Sequence, residues 1–272
     1  AKSVLQSRDI GRRIEELERW GSSVTYRSLD VRNTSDLSRT LEEARALYGP
    51  VRGLIHGAGV LSDGWIVEKS DDQFLQVWST KIEPALQLLE LFKNDDLKIL
   101  NFFSSTTASL GRKGQSDYAA ANEVLNQLAL RESQRRPHCH VRSLGWGPWD
   151  GGMVAEGLKD LFHSEGVGLI SLTEGSNIFV EKLSTESPVH QIVISPFAED
   201  ANFLETIQSW PGPDRQRKRI STTSIIETEK SVDIQQSDKK RIISSPNGSG
   251  DEMELGLEMQ ISCEQDPSLR HH

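Results

Sequence analysis

In the segment 101–122, NFFSSTTASLGRKGQSDYAAAN, the placement of Ser105, Tyr118 and Asn122 raises the question of proton chemistry. Tyr118, Ala121, Asn122, Leu125 and Leu128 recur at the spacing of one helical stripe, so a phenol and an amide face inward on neighbouring turns. Ser105 closes the apolar run just before them. The helical pattern over 71–92 shows a related anomaly: Phe74, Val77, Trp78, Ala85 and Leu88 share their stripe with Lys81. A lysine is almost never buried without a partner, because its charge is costly to desolvate. Taken singly, each residue has an ordinary structural explanation: a satisfied core tyrosine, a packing asparagine, a capping serine, a snorkelling lysine. The chemical alternative is that Tyr118 gives a proton to something bound nearby.

Which reading holds depends on the elements that carry these residues. Residues 1–210 alternate between helical and extended patterns. Leu5–Trp20 predicts a helix stopped at Gly21, and SVTYRSLDV (23–31) predicts a strand ending in an acid. Leu37, Leu41, Ala44 and Tyr48 mark a helix that Gly49-Pro50 terminates. VRGLIH, KILNFFS, HVRSLGW and HQIVIS predict strands, separated by helices over about 71–92, 116–131, 153–163 and 173–183. The strands are nearly continuous apolar runs, as expected where helices cover both faces of a parallel sheet. The fold class is therefore α/β, a doubly wound parallel sheet. Ligands of such sheets lie beyond the carboxyl ends of the strands. Asp30, His56–Gly59, Ser104–Ser105 and Gly145–Pro148 stand at those ends and should line one crevice, where Ser105, Tyr118, Lys81 and Asn122 converge.

Bulk properties narrow the function classes. A net charge of −9 over 272 residues argues against general nucleic-acid binding. No apolar run is long enough for a membrane span. The distant pair Cys139 and Cys263 suits a reducing, cytoplasmic setting better than a disulfide scaffold. The run His138-Cys139-His140 is not read as a metal site, since neighbouring strand residues point to opposite faces. Every aromatic residue lies at or before Trp210, and 211–272 is rich in Ser, Gln, Glu and Lys. Residues 1–210 are accordingly read as the catalytic domain and 211–272 as a disordered tail or linker.

With GLIHGAGVL, the helical Lys81, FFSSTTASLGRKGQSDYAAAN and LGWGPWDGGMV in this order, the chain resembles the ketoreductase domains of polyketide and polyunsaturated-fatty-acid synthases. These belong to the short-chain dehydrogenase/reductase superfamily, with its Rossmann-like fold. Most members carry a lysine four residues after the tyrosine. Synthase ketoreductases place an asparagine there and the lysine on the preceding helix, which is the arrangement of Asn122 and Lys81.

The resemblance implies NADPH-dependent reduction of a β-ketoacyl thioester tethered to an acyl carrier protein, with other synthase domains as partners. Tyr118 would donate the proton, and Lys81 would lower its pKa from the usual value of about 10. Ser105 would hydrogen-bond the substrate oxygen, and Asn122 would hold the lysine or a relay water. For the cofactor the resemblance assigns Asp30 and Val31 to the adenine. It gives the close-approach turn to His56, Gly57, Ala58 and Gly59, and the nicotinamide flank to Gly147 and Pro148. Asp63, Trp149 and Met153 fall to substrate and stereocontrol, and residues 153–165 to a lid. Leu61-Ser62-Asp63 keeps the final acid of a D-product motif, and Leu110 stands where the opposite class has tryptophan.

The chain departs from the pattern at its start. It opens on Ala1 and is read as part of a longer polypeptide, already past the first strand and the Gly-rich phosphate loop. Two readings follow: a segment of a reductase, or a non-catalytic piece with an assembly role.

Overall fold

Four strands lie side by side in parallel, in the order in which the chain makes them, and a fifth closes one edge. A computed structural model describes residues 2–151, 154, 156–164, 167–185, 190–196 and 223–228. The elements are α1 (Lys2–Arg19), α2 (Thr34–Tyr48), β1 (Gly53–His56), α3 (Asp71–Leu91), β2 (Ile99–Ser105) and α4 (Thr106–Leu110). They continue with α5 (Ser116–Arg135), β3 (His140–Trp146), α6 (Glu156–Ser164), α7 (Leu172–Ser184), β4 (Gln191–Pro196) and β5 (Thr223–Thr228).

Local chemistry sets the helix ends. The Asn33 side chain accepts from the first-turn amides of α2, and Gly49 ends that helix at φ 80°, a backbone conformation glycine adopts without penalty. Ser70 and Gln73 cap α3 reciprocally, and the Ser171 hydroxyl accepts from the Glu174 amide at the start of α7.

The period of two in the strands sorts the core into two faces. Leu54, Leu100, Phe102 and Val141 pack beneath α3 and α5 with Val77, Ile82, Ala85, Ala121 and Leu125. Their neighbours Ile55, Phe103, Leu144 and Trp146 turn to the other face, where Ile178 and Phe179 of α7 and Ile192 and Ile194 of β4 complete a second cluster. Helices thus cover both faces, and the expected α/β architecture is present.

Three sequence expectations differ from the structure. Residues 23–30 form no strand, because a strand exists through its ladder and this stretch pairs with none among the described residues. Within the stretch expected to be disordered, Thr223–Thr228 pairs antiparallel with β4, Ile194 opposite Ile225. An antiparallel edge strand needs no crossover helix, so periodicity did not announce it. Tyr48 lies outside the α2 stripe, 54% exposed, with its hydroxyl bonded to Thr25. Among the described residues no helix is long and apolar enough to cross a membrane, and no group of His, Cys, Asp and Glu side chains could hold a metal ion.

Candidate active site

The middle of α3, the carboxyl end of β2 and the first turns of α5 carry Lys81, Ser105, Tyr118 and Asn122. Lys81 is only 3% exposed and reaches back from α3. Its Nζ donates to the carbonyl of Phe103 at 3.0 Å and lies 5.4 Å from the centroid of the Tyr118 ring. A Cβ on Gly59 would come within 3.2 Å of that ammonium, so the missing side chain at the end of β1 leaves the lysine its place. The lysine is therefore partnered within the fold and does not snorkel.

His56 fixes the helix from below. Its ring is buried and its Nε2 donates to the backbone carbonyl of Lys81 at 2.8 Å. The nearby Pro84 brings no amide to the α3 ladder, and the histidine adds an anchor one turn away. Burial, reinforced by the charge of Lys81, holds the His56 pKa down to about 4, so the ring is neutral near pH 7.

Tyr118 is partly buried and Asn122 fully so. The Asn122 amide nitrogen donates to the Tyr118 carbonyl at 2.8 Å, while its Oδ1 is buried without a hydrogen-bond partner. Burial pushes the Tyr118 phenol above its usual value. A side-chain hydrogen bond from Asn122 acts in the opposite direction, and the charge of Asp63 adds to the rise. The expected lowering by Lys81 is not the net result: its ammonium lies over the ring face and bonds Phe103, so desolvation prevails.

Ser105 ends β2 and caps α4, with its Oγ accepting from the Thr107 amide at 3.2 Å. Its hydroxyl donates to Thr107 Oγ1 at 3.0 Å, Thr107 Oγ1 donates to Gln115 Oε1 at 3.3 Å, and Gln115 Nε2 donates to both oxygens of Asp63 at 3.0 and 3.2 Å. The loop bearing Asp63 is stapled to the start of α5. Gly64 donates its amide to Gly114, and Lys69 bridges the Ser62 carbonyl and, at 2.7 Å, the carboxylate of Asp117. Both members of that ion pair are buried, and Asp117 also accepts the Tyr118 amide at 2.9 Å.

The structure therefore sets a buried ammonium against the ring of a phenol whose helix also carries a buried amide, and ends the neighbouring strand β2 in a hydroxyl. The family model described as KR domain matches residues 1–151. The chain belongs to the KR domain family. Similar curated proteins include a polyunsaturated fatty acid synthase polypeptide of Thraustochytrium sp., 37% identical over 70% of this chain and 7% of that protein. Polyketide synthase PksN of Bacillus subtilis is 31% identical over 66% of this chain and 3% of its own length. Among solved structures, a ketoreductase domain from the bacillaene assembly line superposes with TM-score 0.62 at 30% identity, covering 74% of this chain and 48% of that one. The ketoreductase from the first module of phoslactomycin biosynthesis in Streptomyces sp. HK803 gives TM-score 0.60 at 28% identity, over 67% and 42%. The chain thus spans under half of these structures and a small fraction of the curated relatives.

Within this KR domain the remaining expected site residues are placed unevenly. Asp30 is exposed and held by a two-pronged contact from Arg32, which keeps its carboxyl below the usual range, whereas Val31 is buried. Ala58 is buried, and a Cβ on Gly57 would lie 3.9 Å from the Phe103 ring. Gly147 donates to Ile194 of β4, and Pro148 accepts from Ile170. Trp149 turns toward α7: its ring meets Trp146 edge-on, and a Cβ on Gly175 would sit 2.3 Å from it. Met153 lies outside the described residues. Of the stretch expected to form a lid, α6 is docked by Lys159 on Asp150 at 2.8 Å and by the Arg112 guanidinium 4.5 Å over the Phe162 ring. Sequence reasoning does not single out Thr107, Gln115, Asp117, Lys69 or Gly175. The first three border Tyr118 or Ser105 closely enough to be found that way; Lys69 and Gly175 carry no local signal.

Proposed function

We propose that this domain reduces a β-ketoacyl thioester, tethered to an acyl carrier protein, to the β-hydroxyacyl thioester within polyketide or fatty-acid synthesis. Tyr118 gives the proton to the carbonyl oxygen, and Ser105 and Lys81 stabilise the charge that develops there and on the phenol. The strongest support is the placement of Lys81, buried and 5.4 Å from the Tyr118 ring centroid although no lysine follows Tyr118 in its own helix. The unpartnered Oδ1 of Asn122 is an acceptor available to a water that would resupply the proton.

The donor set fits a nicotinamide cofactor. The side chain absent at Gly59 keeps the turn after β1 open beside Lys81, and Tyr118 and Lys81 supply donors on the same side. NADPH, when bound, supplies the hydride. Asp30 and Val31 would meet its adenine, Gly57–Gly59 its approach along the turn, and Gly147 and Pro148 its nicotinamide end. Asp63 following Leu61-Ser62 supports a D-hydroxy product. Partner domains of the same synthase follow from the multidomain character of this reading.

Titration of NADPH by fluorescence, followed by an assay with a β-ketoacyl thioester, tests the proposal. Tyr118→Phe should lower turnover by roughly 10²–10⁴-fold and spare cofactor affinity. Unchanged turnover in that variant removes the proton-donor role. A parent chain that neither binds NADPH nor reduces the thioester supports an assembly role in its place.

A further inference from the structure

We infer that Thr107 and Gln115 are positioning residues that set the direction of the Ser105 hydroxyl under the control of the Asp63 carboxylate. The inference deepens the reductase reading and rests on it for its kinetic consequence, though not for the hydrogen-bond chain itself.

The direction follows from what each group can donate. A carboxylate only accepts, so the Gln115 atom facing both oxygens of Asp63, at 3.0 and 3.2 Å, is the amide nitrogen. That choice turns Gln115 Oε1, which only accepts, toward Thr107 at 3.3 Å. The single hydroxyl proton of Thr107 is thereby committed to Gln115. The 3.0 Å contact between Ser105 and Thr107 can then be made only with the Ser105 proton, donated to Thr107 Oγ1. The Thr107 amide, donating back to Ser105 Oγ at 3.2 Å, completes a two-point hold on the serine. Ser105, Thr107 and Gln115 are all at most 9% exposed, so water does not readily compete for these bonds.

Two consequences follow. Ser105 sits in one hydroxyl orientation before substrate arrives, and its remaining lone pair, not its proton, is what it offers the crevice. To donate to a ketone oxygen it must give up Thr107, which keeps its own bond to Gln115 and loses only an incoming donor. The serine is thus a conditional donor, tied to the loop that carries Asp63 and responsive to whatever moves that loop.

The resting chain is tested in the purified protein without turnover. In mixed H2O/D2O, a slowly exchanging Ser105 hydroxyl splits the Ser105 Cβ resonance into two lines. We expect the splitting in the parent and in Thr107→Ser, and a single averaged line in Thr107→Val and Gln115→Leu. A single line in the parent, or splitting that survives Thr107→Val, overturns the chain. The kinetic arm uses the synthase polypeptide that carries this domain. Thr107→Val should change kcat/KM for the ketoacyl thioester at least threefold, with NADPH affinity unchanged and Thr107→Ser restoring the parent value. In a Ser105→Ala background the same Thr107→Val change should have less than a twofold effect, because the threonine acts through the serine. Equal factors in both backgrounds would leave Thr107 a packing residue and defeat the positioning role. Loss of reductase activity in the parent, with the Ser105 lines still split, defeats the reductase reading and leaves the chain intact.

Discussion

His56 shows how one side chain ties acid stability to site geometry. Its pKa falls from the usual 6.5 to about 4, first through burial and then through the charge of Lys81. Between those values the unfolded chain takes up a proton that the folded ring refuses. Its contribution is therefore complete above pH 6.5 and is lost as pH falls through 4, amounting to about 3 kcal/mol. Urea unfolding at stepped pH should show this slope in the parent and a flatter one in His56→Gln. An equal slope in both would place the acid sensitivity elsewhere. Beside Gly57 and Gly59, the resemblance implies a cofactor-side role for the same histidine; the structure turns its ring to α3. Sequence showed where it stands but not which way it points.

Among the elements, the loop between β1 and α3 is held to the start of α5 by a buried ion pair, Lys69 with Asp117 at 2.7 Å. Buried pairs are costly to break from one side, since the remaining charge has no solvent. Asp117→Leu should lower unfolding free energy by about 3–5 kcal/mol, and Lys69→Met in addition should recover most of it. A double variant as unstable as the single one would mean that packing, not charge, holds the loop. On the opposite face, Trp149 lies where any Cβ at residue 175 would be 2.3 Å away. Gly175→Ala should cost about 1–3 kcal/mol by overpacking, and Trp149→Leu should relieve it. Thermal unfolding of the single and paired variants checks this. Neither contact was legible in sequence: Lys69 sits in the turn WIVEKS with no periodicity, and Gly175 interrupts an otherwise ordinary helix.

For the whole molecule, the two apolar clusters on either side of the sheet share β2 and β3, so these strands should be the last to open. Their amides, such as those of Phe102 and Leu144, should exchange with the slowest rates, whereas those of 23–30, outside any ladder among the described residues, should exchange quickly. Comparable protection in both regions would show that 23–30 has found a partner strand. SVTYRSLDV read as a strand ending in an acid, but a strand-like sequence supplies only one side of a ladder. The pairing of Thr223–Thr228 with β4 is the converse case: its composition suggested no order, and a free sheet edge supplied it.

From its residues alone, the chain announced alternating strands and helices, and polar side chains at a strand end and on apolar helix stripes, Ser105, Lys81, Tyr118 and Asn122. Those features are written in short-range periodicity and in polar residues on apolar stripes, which any helix or strand displays before it packs. Only the tertiary structure decided the direction of each polar contact: Lys81 toward Phe103, His56 toward the Lys81 carbonyl, and Ser105 toward Thr107. It also decided the sign of the Tyr118 shift, because burial and the charges of distant residues belong to no single segment. Hydrogen bonds and desolvation depend on what stands opposite, and that is settled when separate stretches of chain meet.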